Sequence, residues 1–311
     1  MAKYTALDQI DLSALAGLYG LERPRLTALA GGAANSSFRL SAAGGEYVLT
    51  ILDNHDVPSA RRLAAHTQAF RRLGVPTSEV VPAVDGALIG LLDGRPVMVK
   101  RWIAGEVLQP LPVALLPEAG RILARLHTLP TDSPGLRDIP AGTRRLTDEH
   151  LAVVPEFTDT AFASWLTGRL DRVRAAEAQR TRARTVVHGD LFDDNVIVGG
   201  AGRLAVLDWE TVSLDDPLLD LGMAAVGLAQ EDGALAPERL NALLSGYQEG
   251  LPLSEADASA LPMEIEHAAL IIAFHRYYRH NVRFPDPAKS ALHTGMIRFV
   301  DSVAGAARPV G

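Results

Sequence analysis

His188, Asp190, Asn195 and Asp208 are the residues of this 311-residue chain whose types and spacing can do chemistry. They lie in Val186-Val187-His188-Gly189-Asp190-Leu191-Phe192-Asp193-Asp194-Asn195-Val196-Ile197-Val198 and at the end of the apolar run Leu204-Ala205-Val206-Leu207-Asp208. The spacing is H-x-D-x-x-x-x-N, followed by an apolar run and D. A carboxylate at Asp190 can accept the proton of an attacking hydroxyl. Asn195 and Asp208 offer hard oxygen ligands to Mg²⁺, which takes one or two carboxylates when phosphates and waters supply the rest. The set matches phosphoryl transfer from ATP. His188 is expected to orient the loop through a backbone hydrogen bond. A lone His-Gly-Asp or Asp-Trp means little, because Asp and Asn favour turns through local bonds. The joint pattern carries the reading.

Stepping outward, two β-branched runs flank the polar insert, which reads as strand, loop, strand. With the run that ends at Asp208, two acidic loops are expected to close two neighbouring, hairpin-like strands. Upstream, Asp8 to Tyr19 reads as a short amphipathic helix with Asp8 as its cap. Leu26 to Ala30 reads as a strand, followed by Gly31-Gly32-Ala33-Ala34-Asn35-Ser36-Ser37. Such a turn leaves backbone N–H groups free and can cradle phosphates through Gly31, Gly32, Asn35 and Ser36. Glu46 to Leu52 is a clear strand. A kinase of this layout would carry a phosphate-binding Lys there, paired with a Glu on the next helix. Thr50 stands in place of the Lys, and the helix from Pro58 to Leu73 contains no Glu; His66 is its nearest polar candidate. The two losses agree, since either group alone would be a costly unpaired charge.

Val80 to Val84, Leu88 to Leu91 and Pro96 to Trp102 read as strands separated by Asp-Gly turns. Backbone groups of Val99, Lys100 and Arg101 are expected to meet adenine at a hinge, with Lys100 facing solvent or reaching a phosphate. From Leu116 the chain turns helical. His127 reads as a packed or capping histidine, because no partner ligand has metal-site spacing. Residues 131–147 form a Pro/Gly-rich loop. Helices are expected over Ala161 to Arg182, Leu219 to Ala229, Ala236 to Tyr247, Glu255 to Tyr278 and Ala288 to Val303. This gives a β-rich nucleotide-binding lobe over 1–101 and a mainly helical catalytic lobe over 102–311.

Composition bounds the partners. Hydrophobic residues make up 48% and charged residues 22%, as in a globular chain with a sizeable core. Net charge is −7 with no basic run, which argues against nucleic acid and anionic membranes. The absence of cysteine excludes disulfides and thiolate metal sites and fits a cytoplasmic chain. No apolar run approaches the ~18 residues of a membrane span, and the first residues lack a signal-peptide core.

At the His188–Asn195 and Asp208-Trp209 motifs, extended by Asp215-Asp216-Pro217-Leu218-Leu219-Asp220-Leu221, the chain resembles the aminoglycoside phosphotransferase and choline kinase-like superfamily. That resemblance implies an α+β, bilobal, protein-kinase-like fold, with Asp220 bracing the catalytic loop. Asn35-Ser36-Ser37-Phe38, Tyr47-Val48-Leu49-Thr50, Ser78 to Asp85, Asp93-Gly94-Arg95-Pro96 and Leu253-Ser254-Glu255-Ala256 narrow it to type II homoserine kinases, which similarly place Thr on the third strand. The implied reaction is ATP-dependent phosphorylation of L-homoserine, a step of threonine biosynthesis, by a monomer or homodimer. Arg276 and Tyr278, in a late helix, would then meet the substrate carboxylate, and Asp193, Asp194 or Glu210 its ammonium. Ile271, where the resemblance implies an Arg, and Trp209-Glu210 depart from the pattern. The other readings are an amino-sugar or aminoglycoside phosphotransferase, a pseudokinase that binds ATP without turnover and, more distantly, a hydrolase with a carboxylate Mg site.

Overall fold

The computed structural model describes residues 5–29, 35–180 and 184–306. The chain divides into two compact units, 1–106 with 132–138 and 197–210, and 107–131 with 139–196 and 211–311. Two later segments return to the first unit.

The first unit opens with helix α1 (Leu12–Tyr19). Asp11, rather than Asp8, caps it, accepting from Ser13 N at 2.8 Å and Ala14 N at 3.0 Å. Asp8 lies in a separate 3-10 turn, Leu7–Gln9. Strands β1 (Arg25–Ala28), β2 (Ser36–Ala42), β3 (Gly45–Ile51), β4 (Val80–Val81), β5 (Gly90–Leu92) and β6 (Arg95–Arg101) form one antiparallel sheet in the order β1-β2-β3-β6-β4, with β5 also on β6. Alternation puts Phe38, Leu40, Tyr47, Leu49, Ile51, Val97 and Val99 on one apolar face, clustered with Leu15 and Tyr19 of α1. Helix α2 (Val57–Arg72) starts at Asp56, whose carboxylate accepts from Ser59 N at 2.8 Å. It buries Leu63, Ala64 and Phe70.

In the second unit, helix α3 (Leu116–His127) lies against α7 (Pro237–Gly250), at a contact where Gly246 leaves no room for a side chain beside Pro117. Short helix α4 (Asp148–Ala152) precedes α5 (Thr160–Glu177). Strand β7 (Thr185–Val187) leads into the His188–Asn195 loop, and β8 (Val196–Val198) leaves it. The two strands that flank the loop have different partners, and the two neighbouring, hairpin-like strands are the ones that leave the loop and lead to Asp208. β7 pairs with β10 (Ser213–Asp215), and β8 with β9 (Leu204–Val206). Helix α6 (Pro217–Leu228), the ribbon β11 (Gln230–Glu231) and β12 (Ala234–Leu235), the long α8 (Glu255–Tyr277) and α9 (Thr294–Ala306) complete the chain. α8 passes into a π-helical turn, Tyr278–Arg283. Phe157, Phe162, Phe274 and Tyr277 form an aromatic core beneath it, with ring centroids 4.3–6.2 Å apart. Among the described residues no helix is long and apolar enough to cross a membrane.

Candidate active site

The His188–Asn195 loop is held from below by one buried carboxylate. Asp216 caps α6, accepting from Leu218 N at 2.9 Å, and this sets Asp220 in the first turn. Asp220 accepts from His188 N at 2.8 Å and Gly189 N at 2.7 Å. His127 Nε2 lies 3.0 Å from Asp220, and its Nδ1 lies 2.8 Å from the Tyr247 hydroxyl. Burial pushes the Asp220 carboxyl up, but His127, His188 and the backbone donors outweigh it and hold the group below the usual carboxylate range. His127 is therefore the packed histidine its spacing suggested, with a positioning duty.

Gly189 has φ +78°, and a Cβ there would sit 2.8 Å from Arg144 Cγ and 3.0 Å from Thr211 O, so the turn needs glycine. His188 is buried, and its Nδ1 accepts from Asp190 N at 3.2 Å. Asn195 Nδ2 donates to Asp190 O at 2.9 Å, leaving its Oδ1 for another partner. Asp190 is partly exposed, and its Oδ1 accepts from Arg144 NH2 at 2.7 Å. Arg144 was invisible in the sequence because it lies in the patternless 131–147 loop. Backbone bonds from Gly142 N to Leu214 O and from Leu214 N to Pro140 O tie that loop to β10.

Arg145 next to it clamps Asp215 through Nε at 2.8 Å and Glu177 through NH1 at 2.7 Å. Burial opposes ionisation of Glu177, but His267 and Arg145 bring it down to about 2. Glu177, Glu264 and His267 converge as a metal set would. Ion pairs of Arg145 with Glu177 and of Arg180 with Glu264 make the cluster structural.

His275 lies near Arg144, with the His150 ring 5.4 Å from its own. On the same stretch of helix Tyr278 stacks on Phe274 at 5.6 Å. Burial first, then Arg144 and His150, push His275 down to about 4 from 6.5. A depressed histidine keeps the folded state unprotonated while the unfolded chain binds protons, so stability should fall as pH drops from about 6.5 to about 4 and level off below. At about 1.4 kcal/mol per unit, the effect is on the order of 3 kcal/mol. Urea unfolding across that range should show it, and His275→Phe should remove most of the slope assigned to this ring.

Arg276 is half-buried, and desolvation alone pushes it down, no acidic group among the described residues acting on it. Two residues apart on a helix, Arg276 and Tyr278 do not share a face, whereas His275 and Tyr278 do. Ile271 is fully buried in α8. Asp193 accepts from Gln109 Nε2 at 3.0 Å. The exposed Asp194 carboxyl is pushed up by desolvation and by Asp190 and Asp193.

The first unit holds the other predicted residues. Asp208 is exposed and has φ +60°, a strained conformation for a non-glycine residue. The turn sends Trp209 inward, where its Nε1 donates to Thr77 Oγ1 at 2.9 Å and its ring meets Phe70 at 4.4 Å. Glu210 accepts from Asn35 Nδ2 and lies 3.7 Å from His55 Nε2. Ser36 directs its hydroxyl to Asp53 Oδ2 at 2.6 Å. Gly31 and Gly32 lie outside the described residues. Thr50 is buried, with its hydroxyl 3.5 Å from that of Ser37. His66 is buried and pushed down by that burial, so it is no stand-in for a glutamate. Val99 and Lys100 pair with both β3 and β4, and Arg101 N donates to Glu79 O at 2.8 Å. Their backbone is thus taken up by the sheet, and open backbone begins only after Trp102.

A model of the phosphotransferase enzyme family matches residues 25–253. The chain belongs to that family. Curated relatives include homoserine kinases of Methylocella silvestris, 31% identical over 286 residues (89% of this chain, 87% of that protein), and Pseudomonas aeruginosa, 26% identical over 298 residues (93% and 94%). Among solved structures, amicoumacin kinase hAmiN in complex with AMP-PNP, Ca²⁺ and Ami is similar in fold, with TM-score 0.72 and 16% identity over 96% of this chain and 94% of that one. The protein is thus a phosphotransferase of α+β, protein-kinase-like fold.

Proposed function

We propose that this phosphotransferase moves the γ-phosphoryl group of ATP to the hydroxyl of a small, amino-acid-like alcohol, L-homoserine. The observation that carries the reading is the braced loop around Asp190. One carboxylate oxygen is engaged by Arg144, and the other is left to accept the proton of the acceptor hydroxyl. The homoserine kinases among its relatives, matched over most of their length, support the acceptor.

Each of the two expected metal ligands is, by itself, a hard oxygen donor of the kind a divalent cation takes. Asn195 keeps Oδ1 open, and Asp208 presents an exposed carboxylate. Bound there, the cation would offset phosphate charge. Asp190 aligns the attacking hydroxyl and takes its proton. His188 and Asp220 fix the loop that carries Asp190, so the carboxylate need not reorganise during transfer. Arg276, on which no acidic group among the described residues acts, is an open position for the acceptor's carboxylate. Open backbone at 103–105 is the place for adenine.

The test is ADP release from Mg·ATP with L-homoserine, L-threonine, choline, kanamycin, N-acetylglucosamine or no acceptor. Release with homoserine alone is the expected result. Release only with kanamycin or N-acetylglucosamine would overturn the acceptor and keep the mechanism. ATP binding without release from any acceptor would favour the pseudokinase reading.

A further inference from the structure

We infer that Lys100, on β6, supplies the phosphate-binding ammonium that a kinase of this layout would carry at Thr50. The inference rests on the phosphoryl-transfer reading above and assigns a group to one of its duties.

The register decides where Lys100 lies. Thr50 pairs with Met98, and Val48 with Lys100. Side chains two apart on a strand share a face, so Lys100 stands on the face of Thr50, one diagonal step away, about 7–8 Å between Cα atoms. Ser37, opposite Thr50, shares that face. The other face is the apolar core under α1. At Thr50 itself a pair of hydroxyls takes the place of the absent charge. Lys3 lies outside the described residues, and Lys289 is exposed beside Asp286 at 3.9 Å.

The counter-charge has moved as well. α2 has no glutamate, but Asp208 and Glu210 both act on Lys100. Glu210 is fixed by Asn35 and His55. Lys100 is half-buried, yet among the described residues its ammonium makes no hydrogen bond or ion pair. A half-buried ammonium held near two carboxylates without touching either is poised for a further anion. Burial pushes it down while Asp208 and Glu210 hold it up, and a phosphate would strengthen the charged form.

Calorimetric titration with ATP and with adenosine, in Mg²⁺, tests this on wild type, Lys100→Met and Lys100→Arg, each checked for an unchanged melting curve. A charge-assisted contact predicts that Lys100→Met weakens ATP binding by about 10- to 100-fold and leaves adenosine unchanged. Lys100→Arg should recover most of the loss, and KM for ATP should rise in parallel with Kd. Equal losses for ATP and adenosine would make Lys100 an adenine-side residue and overturn the inference. No loss for either would make it a solvent-facing strand residue and overturn it too. A wild type that binds adenosine and ATP alike, with no gain from the phosphates, would overturn the phosphoryl-transfer reading beneath it.

Discussion

Asp190→Asn should lower kcat by about 10²- to 10⁴-fold, the usual worth of a positioned general base, and should leave the Kd for ATP nearly unchanged. The substitution is isosteric. Its amide oxygen can still accept from Arg144 NH2, the bond now 2.7 Å long. The backbone carbonyl at 190 still accepts from Asn195 Nδ2. What disappears is the second carboxylate oxygen and with it the capacity to take a proton. Steady-state kinetics at saturating acceptor, with ATP titrated separately, divides the two effects. Full turnover in this variant would remove Asp190 from the chemistry and with it the assignment of the loop. A matched loss of ATP binding would instead mean that the residue serves the nucleotide.

Much of this site could be read from the chain, and the reason is local. His188, Asp190 and Asn195 are separated by fixed numbers of residues between two apolar runs, so one loop must carry them together. Asp220 could be anticipated only through the resemblance; it sits on α6, and its three partners are brought in by α3 and the loop itself. Arg144 could not be found, because nothing in 131–147 has a period, and the loop is placed by two backbone bonds to β10. The partner of β7 was not legible for a related reason: β10 lies beyond the loop, β8 and β9, and nothing in its three residues marks it as the match. Val99 and Lys100, expected at a hinge, also pair with β4, a strand only Val80–Val81 long that carries no periodic signal of its own. The helix expected from Ala288 begins only at Thr294, because residues 288–293 are tied back in turns such as Lys289 N to Asp286 O.

Asp220→Ala should be the most destabilising single change in the catalytic segment, costing about 3–5 kcal/mol, as removing one partner of a buried charged pair does. The side chain of Asp220 is buried, and its two oxygens satisfy His188 N, Gly189 N and His127 Nε2. Truncation leaves all three donors, buried with it, without the carboxylate that satisfied them. Urea unfolding should therefore shift to a lower midpoint with an unchanged slope. The loop loses its anchor as well, so kcat should fall further than the change in folded fraction explains. Acidity should act in the same direction. The folded carboxyl is held below its ordinary range, so its contribution is complete above the unfolded pKa and is lost as pH falls through the folded one. Wild type should thus lose this part of its stability only in strong acid, while Asp220→Ala, with no carboxyl to protonate, should show a shallower decline over that window. His127→Phe provides the control, because it keeps the backbone bonds to Asp220 and an aromatic ring but removes the imidazole nitrogens. A double-mutant cycle between the two positions should show strong coupling, and additive losses would mean that the histidine and the carboxylate do not act as one brace.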